Sequence, residues 1–383
     1  MLEINELLEL MVVVWIGGKF FRHLGLPVIF GELVAGLIAG PALFGFVDPD
    51  ETIRILAELG VFFLMLHAGL ESEPGDFLRT WKQVVFIAAG AILLPFVGGY
   101  AVSSLFGYGL VEAMFIGMIL SVTSVAVAAR LFKDYQAENT NIANITVGVA
   151  LISDILALIM FSVILEIGGS GIDLAVIGMV VLKMALFFGG VLFLGYRFSG
   201  QINKVIYSGN KGFTFTLIVA LFFGLLAEAM GLHLVLGAFL AGLFIREEVI
   251  EDELFAKIED RIYGISYSFL APIFFASLAF DIDFAAVREI PIFLVTLIVC
   301  SMLFKLVGAG VTSHLIKNKP IESLGLGIAV NSRGAVDLVL TAIGFKMGII
   351  DGQIFSALIL LAFTTTFIAI FAMKPVVKRI AND

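Results

Sequence analysis

Ile142-Ala-Asn-Ile-Thr-Val-Gly-Val-Ala-Leu-Ile-Ser-Asp-Ile-Leu-Ala-Leu-Ile-Met-Phe-Ser-Val-Ile-Leu165 is a run of about 24 residues that carries a full carboxylate, Asp154, at its centre. An apolar stretch of that length is a bilayer-spanning helix. An acid at bilayer mid-depth costs about 2.5–3.5 kcal/mol even on the lenient insertion scales, so such residues mark ion pathways or binding sites. The preceding Ser153 supplies a neutral oxygen. One acid beside one hydroxyl at membrane depth points to a small cation or a proton as the guest.

Composition places the rest of the chain in the same solvent. Hydrophobic residues make up 60% and charged residues 14%, with a mean hydropathy of +1.09. Soluble domains are about a quarter charged, so a polytopic all-α membrane protein is predicted. Cutting at polar loops gives about 13 apolar segments: 5–23, 27–46, 52–70, 81–106, 110–132, 141–168, 172–198, 212–230, 232–246, 253–279, 290–315, 321–346 and 352–379. Lys and Arg gather at the ends that follow odd-numbered spans, as at Lys19, Arg22, Lys82, Arg130, Arg246 and Lys317. Only Arg54, Arg288 and Lys346 fall on the other side. That bias predicts an N-terminus outside, a C-terminus in the cytoplasm and a cell-membrane location.

The acidic start Met1-Leu-Glu-Ile-Asn-Glu6 lacks the basic region of a cleavable signal, so the first span is expected to stay. The single Cys300 lies within a span and excludes an intrachain disulfide framework. The net charge of -9 resides mostly in loops such as Glu247–Glu253, and nothing is basic enough for nucleic acid. No cofactor is expected, and no cytoplasmic regulatory domain after the last span.

Two halves of the chain echo each other. Gly31-Glu-Leu-Val-Ala-Gly-Leu-Ile38 returns about 206 residues later as Gly237-Ala-Phe-Leu-Ala-Gly-Leu-Phe244. Phe62-Phe63 returns as Phe274-Phe275 at nearly the same offset, which equals seven spans. Seven is odd, so the second copy crosses the membrane upside down, the arrangement typical of secondary transporters. Their sites lie at interrupted helices in matching places. Here the fifth span is interrupted by Ser121-Val-Thr-Ser124 and the twelfth by Asn331-Ser-Arg-Gly334. Unwinding there frees backbone carbonyls and half-helix ends for ions or counter-charges.

These blocks resemble the second branch of the monovalent cation/proton antiporter superfamily, which holds NapA-like sodium/proton antiporters and Kef-type potassium systems. The similarity spans the chain. It is carried by Pro27-Val-Ile-Phe-Gly-Glu-Leu-Val-Ala-Gly-Leu-Ile-Ala-Gly-Pro41, Leu56–Glu71, Ser121–Ala126, Gly148–Asp154, Leu236–Gly242 and Pro272–Ser277. The resemblance implies an NhaA/NapA-like fold of about 13 helices with two crossed broken helices, and a homodimer. It implies a dimerisation subdomain (1–80 and 212–283), a core ion-transport subdomain (81–168 and 290–379) and a linker helix (172–198). By motif, Asp154 would be the carboxylate that alternately holds proton and cation, with Ser153, Thr123 and Ser121 around a sodium or potassium ion. Lys305 and Arg333 match the family's basic core residues, and Asp337 and Asn331 support them. Ser153 departs from the pattern, since relatives carry an acid, an asparagine or a glutamine there. That leaves Lys305 without its expected partner. Asp337, one turn after Arg333, is expected to pair with Arg333 or to help neutralise the core. Lys305 is expected either to face Asp154 when no cation is bound or to hold its proton less tightly.

Proton and cation competing for one carboxylate predict electroneutral, one-for-one exchange, with sodium favoured by the small serine. The alternatives are Kef-type potassium/proton exchange, or electrogenic exchange with Lys305 as a second proton carrier. A channel would need a continuous filter-like carbonyl sequence, which is missing. An organic-anion symporter would show no cation requirement. An intramembrane aspartyl protease needs two facing aspartates, and the second candidate, Asp337, sits beside Arg333. The chain is therefore expected not to be an enzyme. Glu32 in the small-residue second span, His67, Lys183, Glu71 and Glu73 are read as packing, structural, snorkelling or interfacial residues.

Overall fold

The computed structural model of the chain describes residues 4–48, 50–71, 81–133, 137, 140–170, 178–179, 181–187, 189–190, 193, 212–248 and 252–380. Most of the expected span 172–198 lies outside them, as do Glu73, Arg79, Arg197, Lys204 and Lys211. Among the described residues the fold is all-α. Its helices are α1 (Ile4–His23), α2 (Val28–Ala39), α3 (Glu51–Leu70), α4 (Trp81–Leu105), α5 (Leu110–Ser121), α6 (Val125–Lys133) and α7 (Asn141–Ser170). Further along the chain come α8 (Gly212–Ala229), α9 (Leu234–Glu248), α10 (Asp252–Ile265), α11 (Ala271–Phe280) and the short α12 (Phe284–Val287). The last four are α13 (Pro291–Leu315), α14 (Pro320–Ala329), α15 (Ala335–Lys346) and α16 (Gly352–Ile380). Eight helical stretches among the described residues are long and apolar enough to cross a membrane, and the chain is a polytopic membrane protein.

The polypeptide divides into two compact units. The first contains Met1–Leu24, Val28–Glu73 and Gly169–Phe280. Its helices approach through small residues: Gly31 of α2 lies against the backbone of Gly17 in α1, and Gly242 of α9 against Gly69 of α3. A Cβ at either contact would overlap backbone atoms, which explains the paired glycines of the sequence repeat. Leu10, Val14, Ala35, Ala39, Ile273 and Ala276 form a core where α1, α2 and α11 meet. Glu32 is buried in α2, and His67 packs on Tyr263 and Tyr267 with ring centroids 5.5 and 5.1 Å away.

The second unit contains Gly25–Pro27, Pro74–Gly168 and Asp281–Asp383. Here α4 lies along α13, drawn close where Gly90 and Gly308 face each other backbone to backbone. Val84, Ile87 and Ala91 of α4, Ile145 and Val149 of α7, Leu326 and Ala329 of α14 and Met373 of α16 form its core. Two spans in this unit are broken. The chain leaves α5 at Val122 in extended conformation (φ -63°, ψ 142°) and re-enters helix at Val125. It leaves α14 at Val330 and restarts at Ala335 after an extended Gly334.

The two broken spans are built alike from their first turn. Glu112 reaches back to the Gly109 N–H at 3.0 Å, and Glu322 to the Lys319 N–H at 3.0 Å. Each satisfies one of the donors left open at a helix start. The breaks meet. The Ser124 N–H donates to the Ser332 carbonyl at 3.0 Å, and a Cβ on Gly334 would come within 2.7 Å of Ser124 Cβ. Glycine at that position is what permits the crossing.

Candidate functional site

Four charged side chains converge on the crossing region of the second unit. Lys305 and Arg333 are fully buried, and Asp154 and Asp337 are 4% and 1% exposed. Buried charge is tolerated only where it is paired and hydrogen-bonded, so the destination of each donor is decisive.

Lys305 projects from α13 into the gap between the broken helices. Its ammonium donates to the Val122 carbonyl, to Thr123 Oγ1 at 2.8 Å and to the Val330 carbonyl at 2.9 Å. An ammonium has three N–H groups, and all three are used. The Thr123 hydroxyl in turn donates to the Val330 carbonyl at 3.0 Å. Val122 and Val330 are the residues at which α5 and α14 end, so two helix C-termini, both partially negative, face one cation. The charges of Asp154 and Asp337 also act on this ammonium. The acid partner missing from the sequence is thus replaced by backbone dipoles.

Arg333 serves the neighbouring carbonyls. Its guanidinium donates to the carbonyls of Ile119 and, at 3.1 Å, Leu120, and to Ser301 Oγ at 2.8 Å. It lies 3.5 Å from Asp337 Oδ1, one helical turn further on. Its own backbone N–H donates to Thr366 Oγ1 of α16 at 2.8 Å. The other loose carbonyls of the α14 end are taken by Asn331, which donates to Gly327 at 2.8 Å, and by Ser332, which donates to Ala329 at 2.8 Å.

Ser153 of α7 completes the set. Its hydroxyl donates to the Ser121 carbonyl at 2.9 Å, which brings the residue before Asp154 against the end of α5. The Ser121 hydroxyl points elsewhere, donating to Ile92 of α4 at 2.9 Å and to Gly117 at 3.0 Å. The structure therefore ties Ser153, Thr123, Lys305, Arg333, Asp337 and Asn331 to the crossing, and Ser121 to it through its carbonyl. Ser301 and Thr366 belong to this network although nothing in the sequence singled them out. The one available signal is that Ser301 lies one turn before Lys305 on the same helix face.

Interrupted helices that cross inside an all-α membrane fold, with charges buried at the crossing, define a secondary ion transporter. Residues 9–379 match the family described as sodium/hydrogen exchanger, transmembrane, and the chain belongs to that family. It is 29% identical over 364 residues to the probable Na(+)/H(+) antiporter GerT of Bacillus cereus, covering 94% of this chain and 95% of that one. It is 28% identical to the Na(+)/H(+)-K(+) antiporter GerN of the same organism, covering 92% and 90% of the two chains. It is 27% identical to the Na(+)/H(+) antiporter of Enterococcus hirae, covering 98% of each. Among solved structures, the sodium proton antiporter MjNhaP1 of Methanocaldococcus jannaschii shares the fold, with a TM-score of 0.78, 19% identity and 98% coverage of each chain.

Proposed function

We propose that the protein exchanges sodium for protons one for one, with Asp154 as the carboxylate that holds either guest in turn. The observation that carries this reading is the engagement of Lys305. In this arrangement all three N–H groups are donated to oxygen acceptors, which supports an ammonium that keeps its charge in both halves of the cycle. Asp154 is then the group whose occupant changes. Sodium is a hard cation that favours oxygen ligands. The Asp154 carboxylate and the lone pairs of Ser153 Oγ are its direct ligands in this proposal. Thr123 and Ser121 contribute through the crossing they hold together, since Thr123 Oγ1 accepts from Lys305 and the Ser121 hydroxyl turns to Ile92 of α4. Arg333, Asp337 and Asn331 keep the half-helix ends in place.

The second unit carries the ions, and the first is the scaffold through which two copies associate as a homodimer. The bias of Lys and Arg between loops supports a cell-membrane location with the C-terminus on the cytoplasmic side. Potassium is the second candidate cargo, favoured by the relative named a Na(+)/H(+)-K(+) antiporter.

The test is a pH-sensitive dye trapped in proteoliposomes, with lithium, sodium, potassium or choline chloride added outside. Sodium is expected to drive proton movement, choline none, and Asp154→Asn protein of unchanged melting behaviour none with any ion. Full exchange by Asp154→Asn would place the site elsewhere.

A further inference from the structure

The donor set around Lys305 is one that alkali ions use. Two backbone carbonyls and a hydroxyl converge on one point, with separations of 2.8 Å from Thr123 Oγ1 and 2.9 Å from the Val330 carbonyl. Carbonyl oxygens in such cages replace the hydration shell of a monovalent cation. The ammonium at their centre has no exposure to solvent, and Val122 and Val330 terminate half-helices whose dipoles both favour a positive charge there. Without a cation the carbonyls would be buried acceptors with a lost partner.

We infer that Lys305 is the built-in occupant of a second monovalent-cation site, formed by the Val122 and Val330 carbonyls and Thr123 Oγ1, and that truncating its side chain opens this site to a free cation of ammonium size. The class of ligand is a small monovalent cation with N–H donors or a loosely hydrated alkali ion. Methylammonium fits best, because it restores both the charge and three N–H bonds. Potassium restores the charge alone. Choline, bulky and without N–H groups, does neither. The inference rests on the crossing itself and not on the role of Asp154, so the two stand or fall separately.

The experiment is the unfolding midpoint of purified Lys305→Ala protein in choline, methylammonium or potassium chloride at matched ionic strength. Lys305→Ala is expected to melt well below the parent in choline. Methylammonium should return about half or more of that loss with a saturable dose dependence, as a ligand of the folded state does, and potassium a smaller share. The parent protein should not respond to methylammonium, and in methylammonium the double variant Lys305→Ala/Asp154→Asn should recover as fully as the single one. Loss of recovery in the double variant would mean that the cation binds at Asp154, and equal responses of parent and Lys305→Ala would mean a non-specific salt effect. Either result overturns the inference. If Lys305→Ala accumulates only when methylammonium is present throughout growth and purification, and unfolds on its removal, the inference holds. Failure to accumulate even then, or a midpoint indifferent to all three salts, overturns it.

Discussion

At Ser153 the hydroxyl proton goes to the Ser121 carbonyl, and the proposed function assigns the lone pairs of the same oxygen to a guest beside Asp154. Ser153→Ala removes both contributions, and two measurements separate them. Losing the bond to a buried carbonyl should cost about 1–3 kcal/mol of stability. Losing a ligand should raise the sodium concentration for half-maximal exchange, by roughly tenfold for each 1.4 kcal/mol of lost binding. A lowered melting midpoint with unchanged apparent sodium affinity would reduce Ser153 to a cap for α5. Sequence exposes residues such as Ser153, Asp154, Lys305 and Arg333 because charge and paired polarity stand out in apolar runs. It hides Ser301 and Thr366, since a hydroxyl in a membrane helix ordinarily bonds back to the preceding turn. Ser162, Thr312, Thr341 and Thr365 all do so here. Val122 and Val330 are hidden for a different reason: they act through carbonyls that every residue possesses.

Helix ends organise the site at the next scale. The α5 end is held by Arg333 at Ile119 and Leu120, by Ser153 at Ser121 and by Lys305 at Val122, so four successive carbonyls have partners from α7, α13 and the second break. The sequence marks both interruptions through their polar clusters, but it does not say which side chain serves which carbonyl, because those partners lie far apart in the chain. Arg333 and Asp337 test the arrangement as a pair. Removing one partner of a buried pair costs about 3–5 kcal/mol, because the other charge is left uncompensated. Arg333→Gln should therefore lower the melting midpoint sharply, and Asp337→Asn added to it should recover part of the loss. If the double variant is as unstable as the sum of the single effects, the two side chains are not coupled and Arg333 acts on the carbonyls alone.

For the whole molecule, the order of spans was legible because each apolar run and each basic loop is local. The division into two units is not local, since each is assembled from three separate stretches of chain. Close approaches such as Gly90 on Gly308 within the second unit are likewise a property of the fold. Charge movement through the cycle is also a property of the whole. If Lys305, Arg333 and Asp337 carry the same charge on both legs, the only difference is sodium against a proton on Asp154, and the net charge moved is zero. A tenfold proton gradient should then sustain a tenfold sodium gradient in proteoliposomes at any imposed potential. Were Lys305 to release a proton in each turnover, two protons would move per sodium and one net charge would cross. A potential of 100 mV acts on one charge with about 2.3 kcal/mol, enough to shift the final sodium ratio by roughly 50-fold. An effect of that size is easily read. Its appearance would make Lys305 a proton carrier, and a sodium ratio indifferent to potential would leave its ammonium a fixed part of the crossing.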